Sequence, residues 1–262
     1  MAYLYGYYKI NDKDKTVNAY IEALYEFSDI ETEDENKITF DILAQALGLE
    51  CIGWLFTTLK EQDVKVKISD ARQAAKFQEM YKQNHPSGCH ISKFFTCMVS
   101  PNDSGQITYD TFMVSDLFQS MEKNNIFENN KNTKFLTVRK PKNGEIFPNI
   151  FVNDTLSDDL DINLFIVDII NEIKSVPSQR RIIKTYDFPI AANVSQYEIM
   201  EMIKSYFLIH KKDDGNYKCA NLNFLLYIAN NIGKETAINF ANQIAEKNIS
   251  FDVVELYLNL ND

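Results

Sequence analysis

The stretch ALGLECIGWLFTTL, residues 46–59, decides how this chain is read. Its first residues close a helix: the run FDILAQAL, 40–47, repeats its apolar residues at helical spacing, and Gly48 supplies the left-handed conformation at which helices stop. Thr39, just ahead of that run, offers a capping hydroxyl. The remainder, CIGWLFTTL at 51–59, places Ile52, Trp54 and Phe56 on one face of a strand.

Working outward, residues 3–9 and 17–27 alternate apolar and polar positions (Val17, Ala19, Ile21, Ala23, Tyr25, Phe27) and read as a hairpin across the turn NDKDK. Acidic residues 29–35 read as a loop. Downstream, Ser69 is the expected cap of a second helix through Ala74, Ala75, Phe77 and Tyr81. Alternation of strand and helix points to an α/β layer. KFFTCMVS and QITYDTFMVS flank PNDSG, a turn composition. Aligning Gly105 as the central glycine of a calcium loop puts Ser100 first and Thr111 last, where Asp and a bidentate Glu are needed, so the turn reading is preferred. Ser115 and Asp116 then open the helix DLFQSMEKN.

From 122 to 161 Asn, Lys and Asp dominate, with Pro141, Gly144 and Pro148 as breakers, and this shift sets an expected boundary between domains 1–145 and 146–262. Beyond it LFIVDII, 164–170, reads as a buried strand and RRIIKTYDF, 180–188, as a second. Helices are expected from a cap at Ser195 through Ile199, Met202, Ile203 and Phe207, then at 222–231, 234–247 and 251–260.

Twenty-seven Lys and Arg against 37 Asp and Glu leave 262 residues with a net charge of -10, which argues against nucleic acid and anionic membrane as partners. The longest apolar run is far short of the roughly 20 residues a bilayer span needs, so no membrane insertion is expected. Cys51, Cys89, Cys97 and Cys219 include no C-x-x-C pair, which fits a reducing compartment. His85, Cys89, His90 and Cys97 sketch a zinc site, but Cys97 lacks a close partner, and a buried thiol among solvated imidazoles is preferred. Neither G-x-S-x-G nor a glycine-rich phosphate loop occurs.

YLYG at 3–6 and GWLFTTL at 53–59 resemble the first strand and the post-helix strand of MPN (JAB1/MPN/Mov34) domains. In metalloprotease members, the resemblance implies, a GWxHxHP-like motif brings two imidazoles and an acid to zinc, with a glutamate ahead of the first strand. Here Phe56 and Thr58 stand at the histidine positions, Leu59 at the proline, Lys67 at the later serine and Asp70 at the acid; the glutamate position falls ahead of Met1. A phenyl ring donates no lone pair, so no metal, no cofactor and no hydrolysis are expected.

YLYGYY, ALGLECIGWLFTTL, NHPSGC, SKFFT, ITYDTFMVS, FPNIFVND, LFIVDII and DFPI occur in that order and resemble the nuclear protein localisation protein 4 family. The resemblance implies an α/β (α+β) fold: an inactive MPN-like sheet with flanking helices, then a mostly helical C-terminal domain with a short sheet. It implies a ubiquitin-binding cofactor of the AAA+ unfoldase valosin-containing protein. With the ubiquitin fusion degradation 1 protein as partner, such a cofactor captures polyubiquitin and helps unfold one ubiquitin on the way to the proteasome, as in endoplasmic-reticulum-associated degradation. The implied location is cytoplasm and nucleus, including the cytosolic face of the endoplasmic reticulum. Family members carry a ubiquitin-like domain and zinc-binding motifs ahead of the MPN domain, so the chain is expected to be either a piece of a longer protein or a reduced form.

An unfolded segment held on an edge strand needs backbone pairing and apolar pockets, because ordering costs roughly 1–2 kcal/mol per residue. Trp54, Phe56, Phe147 and Phe151 are the candidate ubiquitin-binding residues. The acidic surface would speed encounter with the basic-rimmed apolar patch of folded ubiquitin. The competing readings are a scaffold that binds the unfoldase or a sister cofactor without ubiquitin affinity, and an active metalloprotease.

Overall fold

The computed structural model describes residues 1–27, 35–59, 65–84, 88, 90–102, 104–128, 134–171, 205 and 221–246. The fold is mixed α/β, with two compact units interleaved along the chain: Gly53–Ile173 form one, and Ala2–Ile52 with Lys174–Asp262 form the other.

In the interleaved unit, β1 (Ala2–Ile10) and β2 (Val17–Glu26) make the expected antiparallel hairpin. A bulge between Tyr5 and Gly6 shifts the register, so Tyr5 faces Ala23 while Gly6 faces Ile21. The shift undoes the expected alternation: Tyr25 is buried, whereas Val17, Ala19 and Ile21 are exposed. Gly6 is required there, since a Cβ would lie 1.8 Å from the Tyr20 carbonyl oxygen. Helix α1 (Glu35–Ala46) begins four residues before Thr39. Thr39 is therefore not its cap; its hydroxyl donates to the Glu35 carbonyl at 3.1 Å, a helix-interior bond. The stop is as expected, with Gly48 at φ 74° and the amides of Gly48 and Leu49 returning to the carbonyls of Gln45 and Ala44.

Among the described residues, helices α4 (Leu222–Asn231) and α5 (Lys234–Ala245) add to this core. The side chain of Asn221 caps α4 by accepting the amides of Asn223 and Phe224. Phe40 of α1 lies between the rings of Tyr5 and Tyr25, each 4.8 Å away, and the cluster continues through Leu43, Leu225, Ile228, Phe240 and Ile244. Each such side chain contributes about 1.5–3 kcal/mol by leaving water.

The other unit is built on a mixed sheet. From Gly53 onward β3 (Glu50–Thr57) pairs parallel with β6 (Phe95–Pro101), which pairs antiparallel with β7 (Ile107–Val114), and β7 pairs antiparallel with β12 (Ile166–Ile169). The parallel step needs a crossover, and α2 (Ile68–Met80) provides it, burying Ala71, Ala74 and Phe77. Its N-cap is Lys67, whose side chain makes no capping bond. Ser69 instead sits inside the first turn and donates to Asp70 at 3.2 Å, which corrects the expected cap. The turn between β6 and β7 is organised by Asn102, whose Oδ1 accepts the amides of Ser104 and Gln106, with Gly105 at φ 76°. Helix α3 (Asp116–Lys123) starts at Ser115, which accepts the Phe118 amide.

Shorter elements complete this unit: β4 (Lys82–Asn84) with β5 (His90–Ser92), β8 (Phe135–Thr137) with β11 (Asp159–Asp161), and β9 (Phe151–Val152) with β10 (Thr155–Leu156). LFIVDII is not one buried strand. Leu164 and Phe165 belong to a 3-10 turn, and among the described residues β12 lies at the end of the strand order, with Val167 50% exposed and Ile170, just past it, 94% exposed. A continuous apolar run does not by itself distinguish a central strand from an edge. Within the unit Gly53–Ile173 the β8–β11 and β7–β12 pairs join residues on the two sides of position 145. Residues 29–34, the expected strand at 180–188, the helix capped at Ser195 and the helix at 251–260 lie outside the described residues. Among the described residues no helix is long and apolar enough to cross a membrane.

Candidate functional site

β3 carries two of the candidate site residues singled out in the sequence, Trp54 and Phe56. Trp54 and Phe56 are 2% and 6% exposed, their rings stacked with centroids 4.8 Å apart, and Trp54 packs on Phe77 of α2 at 5.1 Å. Both are core. A residue that meets a partner needs surface, so in this structure neither Trp54 nor Phe56 offers a binding face. Thr58, just past the strand, donates its amide to the Val99 carbonyl at 3.0 Å and its hydroxyl to the Leu59 carbonyl at 3.3 Å.

At the two remaining positions of the degenerate motif, Lys67 gives its carbonyl to the amides of Asp70 and Ala71, and Asp70 accepts from Ser69. The set Phe56, Thr58, Lys67 and Asp70 thus comprises a core ring, a hydroxyl bonded to backbone, a helix cap and a first-turn carboxylate. Among the described residues no group of three or more His, Cys, Asp or Glu is placed to hold a metal ion. Cys97 is buried, and burial, with Asp110 nearby, pushes its thiol up to about 11. His90 is exposed on β5, while His85, Cys89, His210 and Cys219 lie outside the described residues.

Phe147 and Phe151 stand elsewhere, on the segment that follows α3. Here Arg139 organises the chain: its guanidinium grips Glu145 through two bonds of 2.8 and 2.5 Å and lies 4.6 Å over the Phe147 ring. The Lys142 amide adds a 2.8 Å bond to Glu145, and these partners, Arg139 first, hold its carboxyl down to about 2. Gly144, at φ 79°, allows the turn that brings Glu145 back. Phe147 lines an open cleft of about 360 Å³ together with Met121, Asn124, Ile126, Glu145 and Pro148.

Phe151 begins the small β9–β10 hairpin, where it is the cross-strand partner of Leu156, and the two are 60% and 59% exposed. Asn153 and Asp154 between the strands have φ of 49° and 62°, the paired positive values that a two-residue hairpin turn demands. Leu156 and Ile146, the latter fully exposed, were not among the candidate residues. The signal for Leu156 was available, since FV-ND-TL at 151–156 has turn residues set between two short apolar-bearing pairs. The structure therefore separates the four aromatic candidates into a buried pair and an outward or half-buried pair.

Comparison with known protein families matches residues 1–257 to the NPL4 family. Among curated proteins, the chain is 24% identical over 224 residues to the nuclear protein localization protein 4 homolog of Homo sapiens, covering 72% of this chain and 37% of that protein. It is 26% identical over 181 residues to the Drosophila melanogaster homolog, covering 59% of this chain and 28% of that one. It is 23% identical over 258 residues to the nuclear protein localization protein 4 of Debaryomyces hansenii, covering 86% and 46% respectively. The chain spans less than half the length of these relatives.

Proposed function

We propose, from the premise that this chain belongs to the NPL4 family, that it acts as a non-catalytic ubiquitin-binding cofactor of the AAA+ unfoldase valosin-containing protein. The observation that carries this reading is the family match over 1–257. In it the chain works with the ubiquitin fusion degradation 1 protein in cytoplasm and nucleus, capturing polyubiquitinated substrates and helping one ubiquitin unfold before proteasomal degradation. The MPN-like character of residues 1–145 and the C-terminal role of 146–262 are part of the same proposal.

The non-catalytic part is supported by Phe56. A ring buried against Trp54 occupies the place where a metallopeptidase of this type would present an imidazole, and carbon offers a cation no lone pair. Substrate capture without cleavage then relies on surface contacts, for which exposed Phe151 and half-buried Phe147 are better placed than Trp54 and Phe56.

The test is retention of polyubiquitin chains, and of an unfolding-prone ubiquitin variant, by the immobilised chain at micromolar concentrations. Retention of both is expected. Binding to the unfoldase with no retention of ubiquitin would replace this reading by the scaffold one, and zinc-dependent, chelator-sensitive cleavage of di-ubiquitin would overturn its non-catalytic part.

A further inference from the structure

We infer that the outward face of the β9–β10 hairpin, formed by Phe151 and Leu156, with Asp154 in its turn and Asp158 and Asp159 just after it in sequence, is a docking surface for a folded protein whose apolar patch is rimmed by Lys and Arg. Resting on the function proposed above, the occupant is ubiquitin.

The hairpin's geometry comes first. Cross-strand partners project to the same side of a strand pair, so Phe151 and Leu156 form one apolar patch, and both are well over half exposed. On the opposite side Val152, partner of Thr155, is half-buried, so the larger side chains are the ones turned to solvent. Two strands of two residues are marginal by themselves. This pair is extended by the Ser157 amide bonding to the Ile150 carbonyl at 3.0 Å, and Ser157 Oγ ties the return to the Asp159 carbonyl at 2.7 Å. A paired Phe and Leu held out on a braced turn add little to the core, and their surface is available to a partner.

Charge identifies which partner. Between Lys142 and Lys174 the sequence has seven carboxylates (Glu145, Asp154, Asp158, Asp159, Asp161, Asp168 and Glu172) and no Lys or Arg. Two are neutralised from outside the segment, Glu145 by Arg139 and Asp168 by Lys65. The three aspartates flanking the hairpin patch are all exposed. A nucleic acid or an anionic bilayer would be repelled, and a second copy of the same face would meet its own sign. An apolar patch ringed by cations is the complementary surface, and complementarity of this kind raises association rate and fixes orientation.

The experiment measures ubiquitin binding by the whole chain, using tetra-ubiquitin and titration calorimetry with stopped-flow association. The variants are Phe151→Ser with Leu156→Ser, Asp154→Lys with Asp158→Lys, and Ile38→Ser as an equally exposed apolar control in the other unit. The serine pair is expected to weaken binding at least tenfold. The charge reversal is expected to slow association severalfold and flatten its salt dependence, and the control is expected to change neither. Trp54 fluorescence and circular dichroism confirm that every variant is folded. Wild-type binding unchanged in both hairpin variants would overturn the hairpin surface while leaving the proposed function standing, whereas no binding by the wild type would remove both.

Discussion

The indole N–H of Trp54 donates to the hydroxyl of Thr96 at 2.8 Å across the parallel β3–β6 pair, where the two residues are register partners. Trp54 is the single tryptophan of the chain, so its emission reports on this core. Replacing Thr96 by Val keeps the shape and removes the acceptor, leaving a buried N–H unpaired. The expected loss is about 1–3 kcal/mol. Urea titration followed by Trp54 fluorescence should show a lower midpoint with an unchanged slope.

Phe56→His puts an imidazole back at one degenerate position. The site is core and not cleft, so the substitution trades apolar burial for a buried polar ring and should destabilise by about 3 kcal/mol. With Thr58 and Lys67 unchanged, one imidazole and Asp70 fall short of a zinc coordination sphere. Metal analysis of the purified variant is expected to find no stoichiometric zinc, and one equivalent would show that the neighbouring positions still form a cradle.

What was legible in the sequence depended on whether the deciding interaction is local. Gly48, Ser115 and the PNDSG turn were readable because a left-handed residue, a capping hydroxyl and an Asn-centred turn act within a few residues. Thr39 and Ser69 were misread for a related reason. A Thr or Ser near an N-terminus satisfies the same pattern whether its hydroxyl caps a helix or bonds within it, and a residue such as Lys67 caps with backbone alone. The exposure of Val17 and Ile21 follows from the bulge at Gly6, where the close Tyr20 carbonyl leaves no room for a Cβ and which strand periodicity does not encode. Packing decided the rest: Phe56 of β3 and Val167 of β12 are both apolar, yet Phe56 is covered by Trp54 and 6% exposed, whereas β12 ends the strand order among the described residues and Val167 is 50% exposed. For the candidate site, an aromatic at strand spacing announced apolar surface without saying which side of the sheet would take it.

The Arg139–Glu145 pair predicts an acid-sensitive loop. The folded carboxyl sits near 2 against an ordinary 4.5, so the pair's stabilisation is fully present above about pH 4.5 and fades as pH falls from there towards 2. The Lys142 amide, which donates to Glu145, is the local probe. Its hydrogen-exchange protection should decline over that window while the amides of β6 and β7 stay protected, and Glu145→Gln should lower it at neutral pH as well. Protection that does not respond to pH would mean that the backbone turn at Gly144 alone holds the loop.

Gln78 of α2 continues the sheet by other means. Its side-chain amide donates to the Val114 carbonyl at 3.0 Å and accepts the Val114 amide at 2.8 Å, beyond Phe112, the last β7 residue that β6 meets in register. The contact is buried, so Gln78→Leu orphans the Val114 N–H at an expected cost of about 1–3 kcal/mol, while the carbonyl keeps a longer bond from Gln119 at 3.4 Å. Gln78→Glu separates the two halves of the interaction. A carboxylate still accepts from the amide but faces the carbonyl with like partial charge, so it should recover little at neutral pH and more once protonated. Thermal denaturation of both variants at pH 7 and pH 4.5 measures this, and equal stability of Gln78→Leu and wild type would show that β7 is held without the helix side chain.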